Sequence, residues 1–186
     1  MAKLFLFMMV SLDGYFEGPE HDLSWHNVDR EFVDFAIEQT GQVGTLLFGR
    51  RTYELMENFW PSSQAQDDPE TAKLMNNTPK MVFSTTLEKV HETKTWKHVT
   101  LVKEVNVEQI NKLKEESAKD LAVFGSNGLA VSLLELGLFD ELRIMINPVV
   151  IEKGTPLFYG LKEKKKFTLK NTKVFNSGNI LLTYTT

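Results

Sequence analysis

The sequence predicts an α/β fold: a central, mostly parallel sheet with helices on both faces and an antiparallel hairpin at its C-terminal edge. Apolar runs without alternation recur at 3–10, 45–48 and 121–124, as in strands buried on both faces. Segments with helical apolar spacing separate these runs, which gives β–α–β order and parallel strands. The C-terminal segment alternates instead. Phe167, Leu169 and Val174 lie in one arm, Ile180, Leu182 and Tyr184 in the other, with Asn176-Ser177-Gly178-Asn179 as the turn.

The elements follow in order. The first strand covers 3–10, and the Gly, Pro, Asp, Ser and His content of 11–26 reads as a long loop. Asn27 is placed to cap a helix over about 28–39, with Asp29 and Glu31 complementing its dipole. Phe32, Val33, Ala36 and Ile37 form its apolar face. Gly41 and Gly44 bracket a turn into strand 45–48, and a helix starts near Arg50 and runs to about Asn58. Residues 59–79 contain Pro61, Pro69 and Pro79 and read as an excursion with one short helix near 69–76. A strand at 80–83 ends in Ser84-Thr85-Thr86, and a short strand follows near 98–102. Residues 106–118 form an amphipathic helix with Val107, Ile110, Leu113 and Ala118 inward. After strand 121–124, helix 127–136 ends at Gly137, the position a C-terminal cap glycine takes. Asp140–Val150 reads as a long strand interrupted by Pro148.

With 186 residues, 42% hydrophobic and 25% charged, the chain is ordinary globular material for one domain spanning 1–186. A net charge of −4 argues against nucleic acid as a partner. The absence of cysteine excludes disulfides, thiolate catalysis and cysteine zinc sites, and favours an intracellular, cytoplasmic setting. The run after Lys3 is too short for a signal peptide and is followed at once by Asp13-Gly14; no other run approaches membrane-spanning length. His21, His26, His91 and His98 lack metal-ligand spacing, and no metal site is expected. Lys162, Lys164, Lys165 and Lys166 fit a solvated hairpin end.

The Rossmann fingerprint, the phosphate-binding P-loop and the nucleophile elbow are all absent. Two strand–glycine–helix junctions remain, Phe48-Gly49-Arg50-Arg51-Thr52 and Phe124-Gly125-Ser126-Asn127-Gly128. Free N–H groups at a helix start attract anions, and the two guanidinium groups suit phosphate. Cations at a helix start are unfavourable unless an anion is present. Two such junctions, with no nucleophile or metal, fit hydride transfer from a phosphate-rich cofactor that carries the chemistry itself.

Taken in order, Ser11-Leu12-Asp13-Gly14, Gly49–Glu54, Gly125–Gly128, Gly137–Leu142, Pro148–Val150 and Gly154–Phe158 resemble the RibD C-terminal-domain-like family, which shares the dihydrofolate reductase fold. The resemblance covers nearly the whole chain. It implies NADPH lying across the C-terminal strand ends. Gly49, Arg50, Arg51 and Thr52 would sit at the pyrophosphate and the adenosine 2′-phosphate, with Arg50 the arginine turned toward it. Ser84 and Thr85 would face the adenosine phosphate side, or cap a turn. Gly125, Ser126, Asn127 and Gly128 would admit the pyrophosphate and nicotinamide ribose. Asp13 either reaches the cleft as a catalytic acid or closes an Asx turn, and Trp25 walls a substrate pocket or packs its loop. Tyr53 and Glu54 are expected to serve helix packing and surface. Family members are often homodimers, so a dimer is implied.

The resemblance is looser for the substrate. The Gly-Arg-Arg-Thr-Tyr-Glu segment replaces the Asp-, Pro- and Arg-rich substrate-phosphate segment of riboflavin-pathway reductases, and Ile151-Glu152-Lys153-Gly154 lacks a glycine the family often carries. Asp34, between Glu31 and Glu38 at helical spacing, belongs to a solvated face and does not match the pterin-binding acid of dihydrofolate reductases. The resulting expectation is an NADPH-dependent reductase of a small heterocycle or sugar imine. The alternatives are a dihydrofolate reductase and a non-catalytic NADPH-binding or sensor protein.

Overall fold

In the computed structural model, which describes residues 1–186, the first apolar run becomes strand β1 (Leu4–Val10). There follow β2 (Tyr15–Glu17), helix α1 (Arg30–Gly41), β3 (Val43–Gly49), α2 (Arg50–Phe59), α3 (Pro69–Asn77), β4 (Lys80–Phe83) and β5 (Val99–Val102). The second half comprises α4 (Val107–Glu116), β6 (Asp120–Val123), α5 (Asn127–Glu135), β7 (Glu141–Ile146), β8 (Thr155–Pro156), β9 (Thr168–Val174) and β10 (Ile180–Thr185). Eight strands form one sheet in the order β5-β4-β3-β6-β1-β7-β10-β9. β1 pairs in parallel with β6 and β7, and β3 with β4 and β6, while β10 is antiparallel to both its neighbours.

Strand periodicity divides the core. Leu4, Leu6, Met8 and Val10 join Leu129, Leu133 and Leu134 of α5 and Ile110 of α4 in one cluster. The alternate residues face α1, α2 and α3, but there the apolar layer splits. Phe5, Phe48, Tyr53, Met75 and Trp96 form one cluster, and Met9, Met145, Phe175 and Leu181 another, with Phe7 bordering both. Phe7 is only half-buried although it lies at the middle of a central strand.

Several element boundaries differ from the sequence expectation. α1 is capped by Asp29, whose Oδ1 accepts from Phe32 N at 2.8 Å. Asn27 is occupied elsewhere: its N–H donates to Asn147 Oδ1 (2.9 Å) and its Nδ2 to the Ser177 carbonyl (2.9 Å). β7 ends at Ile146, because Pro148 cannot donate to the ladder and Asn147 N turns to the Val10 carbonyl (2.7 Å). In α4, Val107 is exposed in the first turn and Ala118 lies beyond the last. Lys114 is buried instead, ion-paired with Asp140 at 2.6 Å. The loop after β1 contains β2, which pairs with β8 as a second, two-stranded sheet. Gly154 permits this approach, since a Cβ there would run into the Glu17 carbonyl.

Candidate functional site

Because β4, β3, β6, β1 and β7 are parallel, their C-terminal ends share one edge of the sheet. That edge carries, in spatial order, Ser84–Thr86, Gly49–Thr52, Gly125–Gly128 and Ser11–Gly14. The segments singled out in the sequence are thus neighbours in the fold.

The two glycine junctions touch. A Cβ at Gly49 would collide with the Ser126 side chain, and one at Gly125, whose φ is +110°, would come within 2.8 Å of Thr52 Oγ1. The Gly125–Ser126 peptide is cis. Gly128 faces open space and is not required sterically. Gly49→Ala is expected to cost about 1–3 kcal/mol by overpacking, and adding Ser126→Ala should return most of it. Urea denaturation checks this coupling; additive losses would mean that the junctions do not meet.

The helix starts differ in a way that bears on ligands. α1, α3 and α4 are capped by Asp29, Asp68 and Asn106, each accepting a backbone N–H of its first turn. α2 and α5, which open from the two junctions, have Gly49 and Ser126 at the cap with no side-chain acceptor and no acid in the first turn. Their free N–H groups and dipoles make this edge positive.

Arg50 extends along the same edge, its Nε donating to Glu54 Oε1 (2.7 Å) and its Nη1 to Thr86 Oγ1 (3.0 Å). Thr86, unassigned from the sequence, is the residue of this turn that meets Arg50. Ser84 is buried and accepts from Leu87 N at 2.9 Å, the turn-capping alternative, while Thr85 is exposed. Arg51 turns the other way, 3.6 Å from Glu17 Oε1 and 3.3 Å from His21 Nδ1. Glu17 is a buried acid missed in the sequence; it accepts from Thr155 Oγ1 (2.8 Å) and pairs with His21 (3.0 Å). Asn127 Nδ2 donates to the Tyr159 carbonyl at 3.4 Å, tying the start of α5 to the segment after β8.

Asp13 is exposed, and both its oxygens are engaged, by Ile151 N (3.3 Å) and Glu152 N (2.9 Å). Hydrogen bonds from Ser11 and then from those backbone groups hold its carboxyl below the usual range. It joins the loops after β1 and β7 as a carboxylate, which makes it an acceptor rather than a proton donor. Trp25 is partly buried, donates to the Asp22 carbonyl (3.1 Å) and meets His26 edge-on at 4.5 Å. Burial pushes His26 down to about 4, so it is neutral at ordinary pH. Asp34 is exposed and paired with Arg30 at 2.7 Å. Tyr53 is buried, donates to Glu57 at 2.8 Å and, desolvated, is pushed up to about 12.

Beside the junctions the sheet is floored by aromatics. Phe124, immediately before Gly125, is half-buried and edge-on to Phe7 with centroids 6.0 Å apart. Phe7 in turn lies 5.7 Å from Phe35 of α1. The glycine junctions and Arg50 thus lie beside a partly buried aromatic cluster of Phe7, Phe35 and Phe124. No helix is long and apolar enough to cross a membrane.

An eight-stranded sheet with this order and an antiparallel C-terminal pair is a dihydrofolate reductase fold. The dihydrofolate reductase of Enterococcus faecalis, solved in complex with NADP(H) and RAB-propyl, superposes with TM-score 0.61 over 98% of this chain and 95% of that one, at 18% identity. Residues 2–181 match the model of the RibD C-terminal domain, and the chain belongs to that family. It is 31% identical over 185 residues to the uncharacterized protein YyaP of Bacillus subtilis (strain 168), covering 98% of this chain and 94% of the relative. The crystal structure of a riboflavin biosynthesis protein, so described provisionally, from Shewanella sp. PV-4 matches with TM-score 0.74 and 27% identity over 98% of each chain.

Proposed function

We propose that this protein is an NADPH-dependent reductase of a small heterocyclic or sugar-imine substrate, related to the pyrimidine reductases of riboflavin biosynthesis. The observation that carries the proposal is the pair of uncapped helix starts, α2 and α5, in contact at one sheet edge beside Arg50. Membership of the RibD C-terminal domain family supports it.

The residues fit a dinucleotide. Side chains at Gly49 and Gly125 would fill the cradle, and the backbone N–H groups that follow have no competing cap. The cofactor would supply the hydride when bound. The first turns of α2 and α5 would hold phosphate through backbone donors, and Arg50, steadied by Thr86, would offer a planar fork to the 2′-phosphate. Phe7, Phe124 and Phe35, packed together beside the Gly125 junction, would keep water from the reacting group. Trp25 shapes the substrate side, and Asp13 fixes the loop that closes over it.

Titration with NADPH is expected to quench tryptophan fluorescence and raise the melting temperature. Arg50→Ala is expected to weaken NADPH roughly 10-fold or more while leaving NADH within a factor of about two. Equal loss for both removes the 2′-phosphate role, and no response to either dinucleotide ends the proposal. Binding without turnover of imines or carbonyls would assign a non-catalytic NADPH-binding protein instead.

A further inference from the structure

We propose that the pocket where the end of α2 meets α3 is a second binding site, for a nucleoside monophosphate with an amino-bearing base. The pocket has a volume of about 420 Å³ and is lined by Trp60, Gln66, Lys73 and Asn76, with Lys94 and Thr95 of the segment before β5. It lies away from the glycine junctions. α2 runs ten residues, ~15 Å, from Gly49 at the rim to Trp60. α3 ends just before β4 begins, so the pocket lies toward the N-terminal edge of the sheet, opposite the edge that carries Gly49 and Gly125.

Charge selects an anion. No aspartate or glutamate lines the pocket, although the chain as a whole carries −4. Lys73 and Lys94 are exposed and hold no carboxylate, whereas Lys3, Lys114, Lys162, Lys170 and Lys173 each do. Asp68, at the start of α3, is engaged as its cap and accepts from Thr71 N at 3.1 Å. Two free ammonium groups on an acid-free pocket suit phosphate, which lysine meets as a compact charge.

The remaining walls select a planar ring with an N–H donor. Trp60 is half-buried and held in place: its Nε1 donates to Met56 Sδ at 3.0 Å, and the Phe59 ring meets it edge-on at 5.0 Å. An indole fixed in this way offers a base a flat apolar partner without further ordering. Asn76 donates through Nδ2 to the Trp60 carbonyl (3.1 Å), and its own carbonyl accepts from Lys80 Nζ (3.0 Å). These bonds fix the amide, yet Asn76 Oδ1 is buried without a donor. Such an acceptor is costly unless a partner meets it, and the amine of a base supplies one. Small-molecule pockets run from ~300 to ~1,000 Å³, and a volume near the lower end fits one nucleotide rather than a dinucleotide.

Calorimetric titration with AMP, in the presence of excess NADPH, is expected to show one site with Kd of roughly 10–100 μM. The double variant Lys73→Ala, Lys94→Ala changes exposed positions and should keep the fold by circular dichroism while weakening AMP roughly 10-fold or more. Adenosine, without the phosphate, should bind wild type weaker by a similar factor. Purine riboside 5′-monophosphate, without the amine, should bind about 2–10-fold weaker than AMP. Arg50→Ala, at the rim, should leave AMP binding unchanged. No heat from AMP at millimolar concentration, indifference to the lysine pair, adenosine or the amine-free nucleotide binding as tightly as AMP, or loss of AMP binding in Arg50→Ala would each overturn the assignment. The NADPH titrations described above stand apart from these outcomes, because the two sites lie at opposite ends of α2.

Discussion

Glu141→Gln is expected to lower stability by roughly 3 kcal/mol at neutral pH, a fall in Tm of roughly 6–12 °C for a chain of this size. Glu141 begins β7 and is 3% exposed. Burial pushes its carboxyl up, but hydrogen bonds from Lys170 (2.7 Å), Lys3 (2.7 Å) and Arg143 (2.9 Å) outweigh burial and hold it at about 2 instead of 4.5. The contacts tie the start of β1 and the outer strand β9 to β7, and Arg143 also lies 3.7 Å over the Phe5 ring. Because the folded value is depressed, this stabilisation is fully present above pH 4.5 and is lost as pH falls toward 2. Wild type should therefore lose stability steeply across that window, while Glu141→Gln, already without the contribution, should show a flatter acid limb. Urea titrations at pH 7, 4.5 and 2.5 measure both; parallel pH curves would show that the ion cluster contributes nothing.

Much of the fold could be read from the chain because its strands are buried on both faces. Runs such as Leu4–Val10 and Leu121–Val123 admit no amphipathic helix of useful length, and the glycines after them mark where each strand stops. β2 and β8 escaped because strands of three and two residues leave too short an alternation to register. The helix boundary at Asp29 was ambiguous for a physical reason. Asn27 and Asp29 are both good caps, and the choice between them rests on Asn147 and Ser177, distant in sequence, which engage Asn27.

The candidate site was readable as a set of backbone segments and less so as side chains. Gly49 and Gly125 are constrained by close approach, which restricts the residue type at the position itself. Arg50 and Arg51 carry the same chemistry, and only three-dimensional neighbours separate them: Thr86 for one, Glu17 and His21 for the other. Asp13 shows the converse. A carboxylate after a buried strand has the chemistry for catalysis, yet two backbone N–H groups on a loop far along the chain engage it.

Lys80→Met is expected to destabilise the protein by about 2–3 kcal/mol at pH 7, and by more as pH rises. Lys80 opens β4, is 1% exposed, and lies 4.2 Å over the buried Trp96 ring. Its Nζ donates to the carbonyls of Thr78 (2.7 Å), Asn76 (3.0 Å) and Lys97 (3.1 Å). Two of these are carbonyls at the C-terminal end of α3, so the lysine serves as that helix's cap. Methionine would leave three buried acceptors without donors, at ~1–3 kcal/mol each. Against this, burial pushes the ammonium down to about 8 from 10.5, so carrying its charge in the folded state costs roughly 3 kcal/mol at pH 7, which the variant avoids. The lost hydrogen bonds win, but only by the difference. Between pH 8 and 10.5 the unfolded chain binds the proton that the folded chain has released, so wild type gains stability across that window and Lys80→Met does not. The gap between the two proteins should widen by up to roughly 3 kcal/mol from pH 7 to pH 10.5. Guanidinium unfolding of both proteins at the two pH values decides it, and a gap that narrows with pH would show that the three carbonyls, rather than burial, control the charge state of Lys80.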